Sequence, residues 1–402
     1  MENAIIMFES MEKGGHQLLT ATEPVIIDAI LECRGEIPIL ESLAIRSSRY
    51  QGKECHNAFE IAPHLTELNL ELYGGRIGTW IQFPWPWVQL TKLRLTLSHR
   101  SWGFAAGNEL RAFLLQLQNV EELHFANFNF ESSLADFKFP PVRLTRLRSI
   151  KLTVSLQVAS AIFSWFELPF LEHLWLDSQY QYLHVDISET DACRQEISSL
   201  IERSSCHIRQ LTLEWCFIGI AHAIMETLAS VEELYVKNLS SFPNIIWVIS
   251  NRMYLPKMQV LQVDCCPGCF GKLAADLSHL LEVRSKESTV LLAWATAPLE
   301  RITIRVDWIK RDGPCRAALS CESRTQLVES ALQVMSTWPS LSVTNVHRDQ
   351  SNKQSISLIV HALAAGTLIN LAFYYPNSDS DDFMEEYCRC HSILEKMCAV
   401  VI

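Results

Sequence analysis

No stretch of the sequence reaches the roughly 18 consecutive apolar residues that a helix needs to span a bilayer, so we expect no membrane partner. Basic residues are also in the minority, because 34 Lys and Arg stand against 45 Asp and Glu, for a formal net charge of -11. Proteins that bind phosphate backbones normally carry a clustered excess of Lys and Arg. The composition therefore argues against nucleic acid as a partner.

Catalytic motifs with a diagnostic spacing are missing as well. The sequence contains no G-x-S-x-G nucleophile elbow, no H-E-x-x-H metal motif and no G-x-x-x-x-G-K-[ST] phosphate-binding loop. Of the nearest stretches, "GGRIG" at residues 74–78 is not followed by a helical pattern, and "GCFGKL" at residues 268–273 has too few residues between its glycines. We predict that the chain is not an enzyme and that it uses no cofactor.

The 13 cysteines form neither a disulfide framework nor a metal-site pattern. Their number is odd, and the N-terminus lacks the basic and apolar regions of a secretion signal, so we expect reduced thiols in a cytoplasmic or nuclear protein. Cys266 and Cys269 have the spacing of a zinc knuckle, but the one comparable cluster, Cys388, Cys390 and His391, lies near the C-terminal end. We therefore predict no metal site.

One short pattern recurs ten times along the chain. It consists of an apolar residue, two variable positions, an apolar residue, one variable position and a third apolar residue, and successive copies start 23 to 41 residues apart. Such a period is typical of leucine-rich repeats, in which each unit stacks on its neighbours to bury its apolar face. The copies are "LESLAI" from Leu40, "LTELNL" from Leu65, "LTKLRL" from Leu90, "VEELHF" from Val120, "LRSIKL" from Leu147, "LEHLWL" from Leu171, "IRQLTL" from Ile208, "VEELYV" from Val231, "MQVLQV" from Met258 and "LERITI" from Leu299.

The pattern predicts a strand in every copy, because side chains alternate across a strand and the fourth and sixth positions then share one face. Stretches between the copies, such as "ACRQEISSLIER", have apolar residues at helical spacing. We predict an α/β leucine-rich-repeat solenoid with a curved parallel sheet on the concave face and helices on the convex face. Only two copies, those followed by Cys216 and Cys266, have the Asn or Cys that tight repeats place after the strand, so we expect irregular repeats.

The extent of the pattern divides the chain into three predicted regions. Residues 1–36 are predicted to form an N-terminal helical cap, based on the stretch "EPVIIDAILECRG" at residues 23–35. Residues 37–375 are predicted to form an array of about ten to twelve units, in which "LSVTNV" from Leu341 and "LINLAF" from Leu368 are degenerate copies. Residues 376–402 are predicted to form an acidic loop and a C-terminal closing helix.

The stretches "PILESLAI" and "FPWPWVQLTKLRL", together with the irregular repeats, resemble the leucine-rich region of the F-box-like proteins of mushroom-forming fungi. The resemblance covers the repeat region, and the first 36 residues show no F-box pattern. In that family an F-box docks on a Skp1-type adaptor of a cullin ubiquitin ligase while the repeats hold a substrate protein. The resemblance implies a substrate-receptor function, and a stand-alone scaffold or adaptor with no ubiquitin ligase link is the alternative.

The fifth position of each copy is expected to point away from the core, onto the concave face. Aromatic and arginine side chains on an open strand face are those that most often anchor protein interfaces. We predict a protein ligand on this face, with Trp175 and Tyr235 as the leading contacts and His124, Lys151 and Arg94 beside them. The alternative is that a loop or the C-terminal tail covers the two aromatic side chains. The fifth positions are Ala44, Asn69, Arg94, His124, Lys151, Trp175, Thr212, Tyr235, Gln262 and Thr303.

Overall fold

The computed structural model describes residues 7–10, 17–21, 40–47, 62–72, 85–97, 107–127, 139–177, 187–214, 221–239, 244–250, 254–265, 273, 276–277, 279–281, 283, 299–307, 342–349, 355–364 and 367–376. Over these residues the chain is an α/β structure with long runs of parallel strands and few helices. It divides into two compact units. The first consists of Met1–Tyr180 and His184–His207, and the second of Gln181–Leu183 and Ile208–Ile402.

The sheet of the first unit is mainly parallel. Its described strands are β1 (Met7–Ser10), β2 (Gln17–Ala21), β3 (Leu40–Ser47), β4 (Glu67–Leu72), β5 (Lys92–Leu97), β6 (Glu122–Ala126), β7 (Val142–Arg143), β8 (Ser149–Thr153), β9 (Phe166–Glu167) and β10 (His173–Asp177). Strands β2, β3, β4, β5, β6, β8 and β10 lie side by side in this order, and all pair in parallel. Strand β1 pairs with β2 in antiparallel orientation, and β7 and β9 form a separate small parallel sheet.

The sheet of the second unit is parallel at one side and antiparallel at the other. Its described strands are β11 (Gln210–Glu214), β12 (Glu233–Leu239), β13 (Val260–Cys265), β14 (Arg301–Asp307), β15 (Ser342–Asp349), β16 (Ser355–Ala364) and β17 (Thr367–Pro376). Strands β11, β12, β13, β14 and β17 are parallel neighbours in this order. Strand β16 then pairs with β17, and β15 with β16, in antiparallel orientation.

All ten copies of the sequence pattern form strands, and within each unit they share one register. The first, fourth and sixth positions of every copy are at most 4% exposed. These positions therefore form three buried rows across the strands, and the rows are the core of each unit. The third positions that face one another are Ser42, Glu67, Lys92, Glu122, Ser149 and His173 in the first unit, and Gln210, Glu233, Val260 and Arg301 in the second.

A hydrogen-bonded turn precedes most of these strands, and the sequence pattern did not include it. In this turn the N–H of the first position donates to the carbonyl three residues earlier, as Leu90 does to Trp87 over 3.3 Å. A buried side chain at that earlier position extends the core beyond the strand, so the repeated unit is longer than the six-residue pattern. The buried residues that accept this bond are Ala62, Trp87, Leu117, Leu168, Leu228 and Leu255.

Neighbouring copies are also joined just before their strands begin. The carbonyl of the second position accepts hydrogen bonds from two successive N–H groups of the next copy, as Thr66 does from Thr91 over 2.8 Å and from Lys92 over 3.0 Å. The same arrangement recurs in the second unit, where the Arg209 carbonyl accepts from Glu232 and Glu233. These two hydrogen bonds pair backbone groups at the edge of the sheet, so they hold neighbouring copies in register.

Helices are few over the described residues. They are α1 (Gly107–Leu114), α2 (Leu156–Ser164), α3 (Ile187–Ser204), α4 (Ala221–Thr227) and α5 (Asn244–Ser250), together with one 3₁₀ turn at Trp87–Gln89. The Oγ of Ser155 caps α2 by accepting from the Val158 N–H. Helix α2 packs against α3, whose buried Ser204 Oγ accepts from the Leu168 N–H over 2.8 Å. None of the described helices is long and apolar enough to cross a membrane.

The two ends of the array differ from the sequence predictions. The described residues of the region predicted as a helical cap at 1–36 are strands β1 and β2, and the helix predicted at 23–35 lies outside the described residues. The copy predicted from Leu341 does not continue the parallel order, because β15 is antiparallel to β16. Only residues 350–354 connect these strands, which suits a hairpin and is too short for a parallel crossover.

The copy predicted from Leu368 does form a strand parallel to β14, but with a shift of two residues. Ile369, rather than Leu371, lies opposite the fourth-position Ile302. A shift of two keeps the same side chains on the same face, since the period of a strand is two. The acidic loop and closing helix predicted after Pro376 lie outside the described residues.

Candidate functional site

The third, fifth and seventh positions of the copies form what we call the polar face of each sheet. These side chains point away from the buried fourth and sixth positions because side chains alternate along a strand. In the first unit Arg94 is exposed, and His124, Lys151 and Trp175 are each partly buried. Each of these four side chains therefore retains access to solvent.

Four of the five predicted contact residues are neighbours in the first unit. The register places Arg94 on β5 opposite His124 on β6, His124 opposite Lys151 on β8, and Lys151 opposite Trp175 on β10. Neighbouring strands are about 4.8 Å apart. These four side chains therefore form one continuous row across four strands, which we call the first-unit row.

Lys151 and Trp175 make a cation–π contact within this row. The Lys151 Nζ lies over the indole, 3.4 Å from its centroid. Such a contact stabilises by about 1 kcal/mol where the pair is partly desolvated. It keeps the lysine charge against the aromatic ring, so the row contains a fixed cation next to a large apolar surface.

His124 is neutral in the native protein at physiological pH. Burial, together with the smaller effects of the Lys151 and Arg94 charges, lowers the pKa of its imidazole from 6.5 to about 3. Its Nε2 lies 3.2 Å from the hydroxyl of Thr153 on the neighbouring strand. The imidazole is thus an uncharged hydrogen-bonding group between two cations.

The charges around the row are not all alike. Lys92, on the same strand as Arg94, lies 2.9 Å from a Glu67 carboxylate oxygen and 3.7 Å from one of Glu122. Hydrogen bonding to Glu67 and the charge of Glu122 raise the pKa of Lys92. Arg94 has no carboxylate of a described residue within ion-pairing distance. Arg94, unlike Lys92, is therefore an exposed cation that no described carboxylate neutralises.

Tyr235, the fifth predicted contact, lies in the second unit. The register places it between Thr212 and Gln262, and its hydroxyl donates to a Glu233 carboxylate oxygen over 2.9 Å. Burial raises the pKa of Tyr235, and the bond to Glu233 raises it further. We call the side chains at the fifth positions of β11 to β14 the second-unit row. They are Thr212, Tyr235, Gln262 and Thr303.

The sequence pattern missed the polar partners of these residues. Thr153 and Glu233, at the seventh and third positions of their copies, bond to His124 and Tyr235, and neither was among the predicted contacts. The alternation rule could have found both, because the third, fifth and seventh positions share a face. Asp264, at the seventh position of its copy, accepts from the Gln262 amide over 3.3 Å.

Metal ligation finds no support in the described part of the chain, where no three His, Cys, Asp or Glu side chains cluster as a metal site would require. Cys193, Cys206 and Cys265 are buried and are not in disulfides, and burial raises the pKa of the Cys206 thiol. Cys266, Cys269 and the cysteine and histidine cluster at residues 388–391 lie outside the described residues.

Comparison with known proteins gives a structural likeness and no family. No family model matches the chain, and no curated protein matches it. Among solved structures, the crystal structure of the TLR13–ssRNA13 complex is similar over 67% of this chain, with 12% sequence identity and a TM-score of 0.30. The chain spans less than half of that protein, since the similarity covers 40% of its length.

Proposed function

We propose that the chain is a leucine-rich-repeat protein whose function is the non-catalytic recognition of a protein partner on its polar face. The observation that carries this proposal is the first-unit row, in which an exposed arginine, a neutral imidazole and a lysine stacked on a tryptophan lie in register. Side chains held by a sheet form a preformed surface, which lowers the entropic cost of binding. Tryptophan and arginine are also the residues most enriched at the centres of protein interfaces.

The contrast between core and face supports the same proposal. The buried positions are apolar in every copy, whereas the fifth position changes its chemistry from strand to strand. Stacking of repeats requires the uniform rows, but it places no such requirement on the open face. A surface that recognises a particular ligand needs side chains that differ from strand to strand, and the fifth positions have this property.

The test is the recovery of interacting proteins from cell extract with the native chain and with the double variant Trp175→Ala/Tyr235→Ala. The variant should fold, as judged by circular dichroism and melting, and its partner affinity should fall by about 2 kcal/mol. A matched control is Phe170→Ala, because this aromatic is 59% exposed but lies in the turn before β10. A folded double variant that keeps every partner would contradict the proposal, and one that cannot fold would show that the two aromatics belong to the core.

The cellular role that we propose is that of a substrate receptor of the ubiquitin ligase type, in the cytoplasm or the nucleus. Its support is the resemblance of "PILESLAI" and "FPWPWVQLTKLRL" to the F-box-like group. A binding assay with a purified Skp1-type adaptor tests it. Retention of the adaptor supports the substrate-receptor role, and absence of binding favours a stand-alone scaffold or adaptor.

A further inference from the structure

The first-unit row has a charge pattern that specifies the chemistry of its partner. Arg94 is exposed and has no described carboxylate within ion-pairing distance, and the Lys151 ammonium lies two strands away beside the Trp175 indole. His124 between them is uncharged, so it does not repel a cation or attract an anion strongly. The row therefore contains two cationic side chains separated by a neutral hydrogen-bonding group, and an aromatic side chain at one end.

The spacing of the two cations suits an extended peptide. Arg94 and Lys151 lie on strands that are two apart in the sheet, so their backbones are roughly 10 Å from each other. On an extended segment, acidic side chains two or four residues apart point to the same side and lie about 7 to 13 Å from each other, a range that includes this distance. An apolar side chain that follows them would meet the face of Trp175.

We infer that the first-unit row binds an acidic segment of the protein partner, with one carboxylate on Arg94, a second near Lys151 and an apolar side chain against Trp175. This inference rests on the proposed function and names the chemistry of the ligand. Charge-assisted hydrogen bonds from arginine to carboxylate are the strongest polar contacts that such a row can make. The indole and the lysine stem supply the apolar part of the site.

A nucleic acid carries negative charge too, but its charge is continuous along the chain. The positive stretch is short, because Glu67 and Glu122 flank it on the same face and neutralise Lys92. A phosphate backbone that crossed the row would meet these carboxylates, and the net charge of -11 opposes long polyanions in general. A short acidic peptide can place its carboxylates on the row alone.

A titration with labelled peptides tests the inference directly. The probe is a fluorescein-labelled peptide that combines glutamates with a leucine, and the comparison peptide has glutamine at every glutamate. Anisotropy should show binding of the glutamate peptide to the native chain, and Arg94→Gln or Lys151→Gln should weaken it about tenfold each. Arg143→Gln is the matched control, since Arg143 is an exposed arginine of the same unit that pairs with Glu167 on the small sheet. It should leave the affinity unchanged.

A second readout on the native chain reports from within the row. Because the charges of Arg94 and Lys151 lower the pKa of His124, a carboxylate bound between them should raise that pKa from about 3. Histidine resonances followed by NMR against pH, with His124→Asn for assignment, measure the change. Lys92 and Glu122 lie on the same face beside the row, and they are 3.7 Å from one another in an ion pair. An unchanged pKa in the presence of saturating glutamate peptide overturns the inference.

The outcomes separate the inference from the function on which it rests. If the glutamine peptide or a single-stranded RNA oligonucleotide binds as tightly as the glutamate peptide, the acidic-segment inference is wrong. If no peptide binds while Trp175→Ala still loses partners from extract, the face recognises a protein segment that is not acidic. The inference is then wrong, and the proposed function stands. If Trp175→Ala and Tyr235→Ala lose no partner, both the inference and the proposed function fall.

Discussion

The two units build their sheets from the same repeated core but carry different side chains on the polar face. In the first unit the fifth positions of β5, β6, β8 and β10 hold two cations, an imidazole and an indole, and the arginine is exposed. In the second unit the row consists of two threonines, a tyrosine and a glutamine, of which Thr212 and Gln262 are buried. The tyrosine hydroxyl and the glutamine amide each bond to a carboxylate of their own strand.

The difference separates what the fold needs from what a ligand needs. Leu123 and Leu234, at equivalent fourth positions of the two units, are 2% and 0% exposed. Tyr235 and Gln262 of the second-unit row form hydrogen bonds within the protein, which reduces what these groups can offer a partner. The first-unit row includes the exposed Arg94 guanidinium, so we expect it to dominate binding.

The largest effect should come from the core that both units share. Leu123→Asp and Leu234→Asp each bury an unpaired carboxylate, which costs several kcal/mol and should unfold the neighbouring copies together. Thermal melting and soluble expression measure the effect. Glu122→Gln, which changes the exposed residue next to Leu123, should melt close to the native chain. Unchanged melting of both aspartate variants would mean that the repeat interpretation is wrong.

Single substitutions on the face should distinguish the two units. Trp175→Ala should weaken partner affinity by about 2 kcal/mol, since it removes the indole and the stacking surface of Lys151. Tyr235→Ala should cost less, because the Tyr235 hydroxyl already bonds to Glu233. Titration of a purified partner against both variants gives the two values. A larger loss for Tyr235→Ala would reverse our assignment of the main contact to the first unit.

Acid stability should depend on His124. Its native pKa of about 3 lies below the ordinary value of 6.5, so between these values the unfolded chain binds a proton that the native chain does not. The free energy of unfolding should therefore fall as the pH is lowered through this window, by up to about 1.4 kcal/mol per pH unit from this group. Denaturant unfolding of the native chain and of His124→Asn isolates the contribution. Parallel pH profiles for the two proteins would show that the imidazole is not held neutral in the fold.

The smallest effects should come from exposed ion pairs, in both units alike. Lys92→Gln removes the bridge to Glu67 and Glu122, and Arg209→Gln removes a pair with Glu232 at 2.8 Å. Exposed pairs of this kind contribute less than about 1 kcal/mol and weaken in salt. Chemical denaturation at low and high salt measures both. A loss well above that limit for either variant would indicate that the pair has a structural role that its exposure does not suggest.

The strand positions could be predicted from the sequence because they depend on local alternation. Val120 and Val231 start copies whose strands begin two residues later, at Glu122 and Glu233, as the pattern requires. The hairpin of β15 and β16 could not be predicted in this way, because a single strand pattern does not state whether its partner is parallel or antiparallel. The length of the connection between β15 and β16 decides their relative orientation, because residues 350–354 are too few for a parallel crossover.

The composition of the candidate site could be predicted and its internal contacts could not. Alternation placed Lys151 and Trp175 on one face, and the register made them neighbours. The position of the ammonium over the indole, and the hydroxyl of Thr153 beside His124, depend on side-chain rotamers that the sequence does not fix. The neutral state of His124 depends in turn on its burial and on two cations from other strands.

The measurement that tests the central claim most directly is site-specific photo-crosslinking from the two sides of the first unit. A photoreactive residue at Ser149, on the polar face of β8 two positions before Lys151, should crosslink a partner protein in extract. The same residue at Gln157, exposed on α2, should not. Crosslinks from Ser149 that disappear in Trp175→Ala are the predicted result. Crosslinks from Gln157 alone would contradict the account, because they would place the binding surface on the helical side.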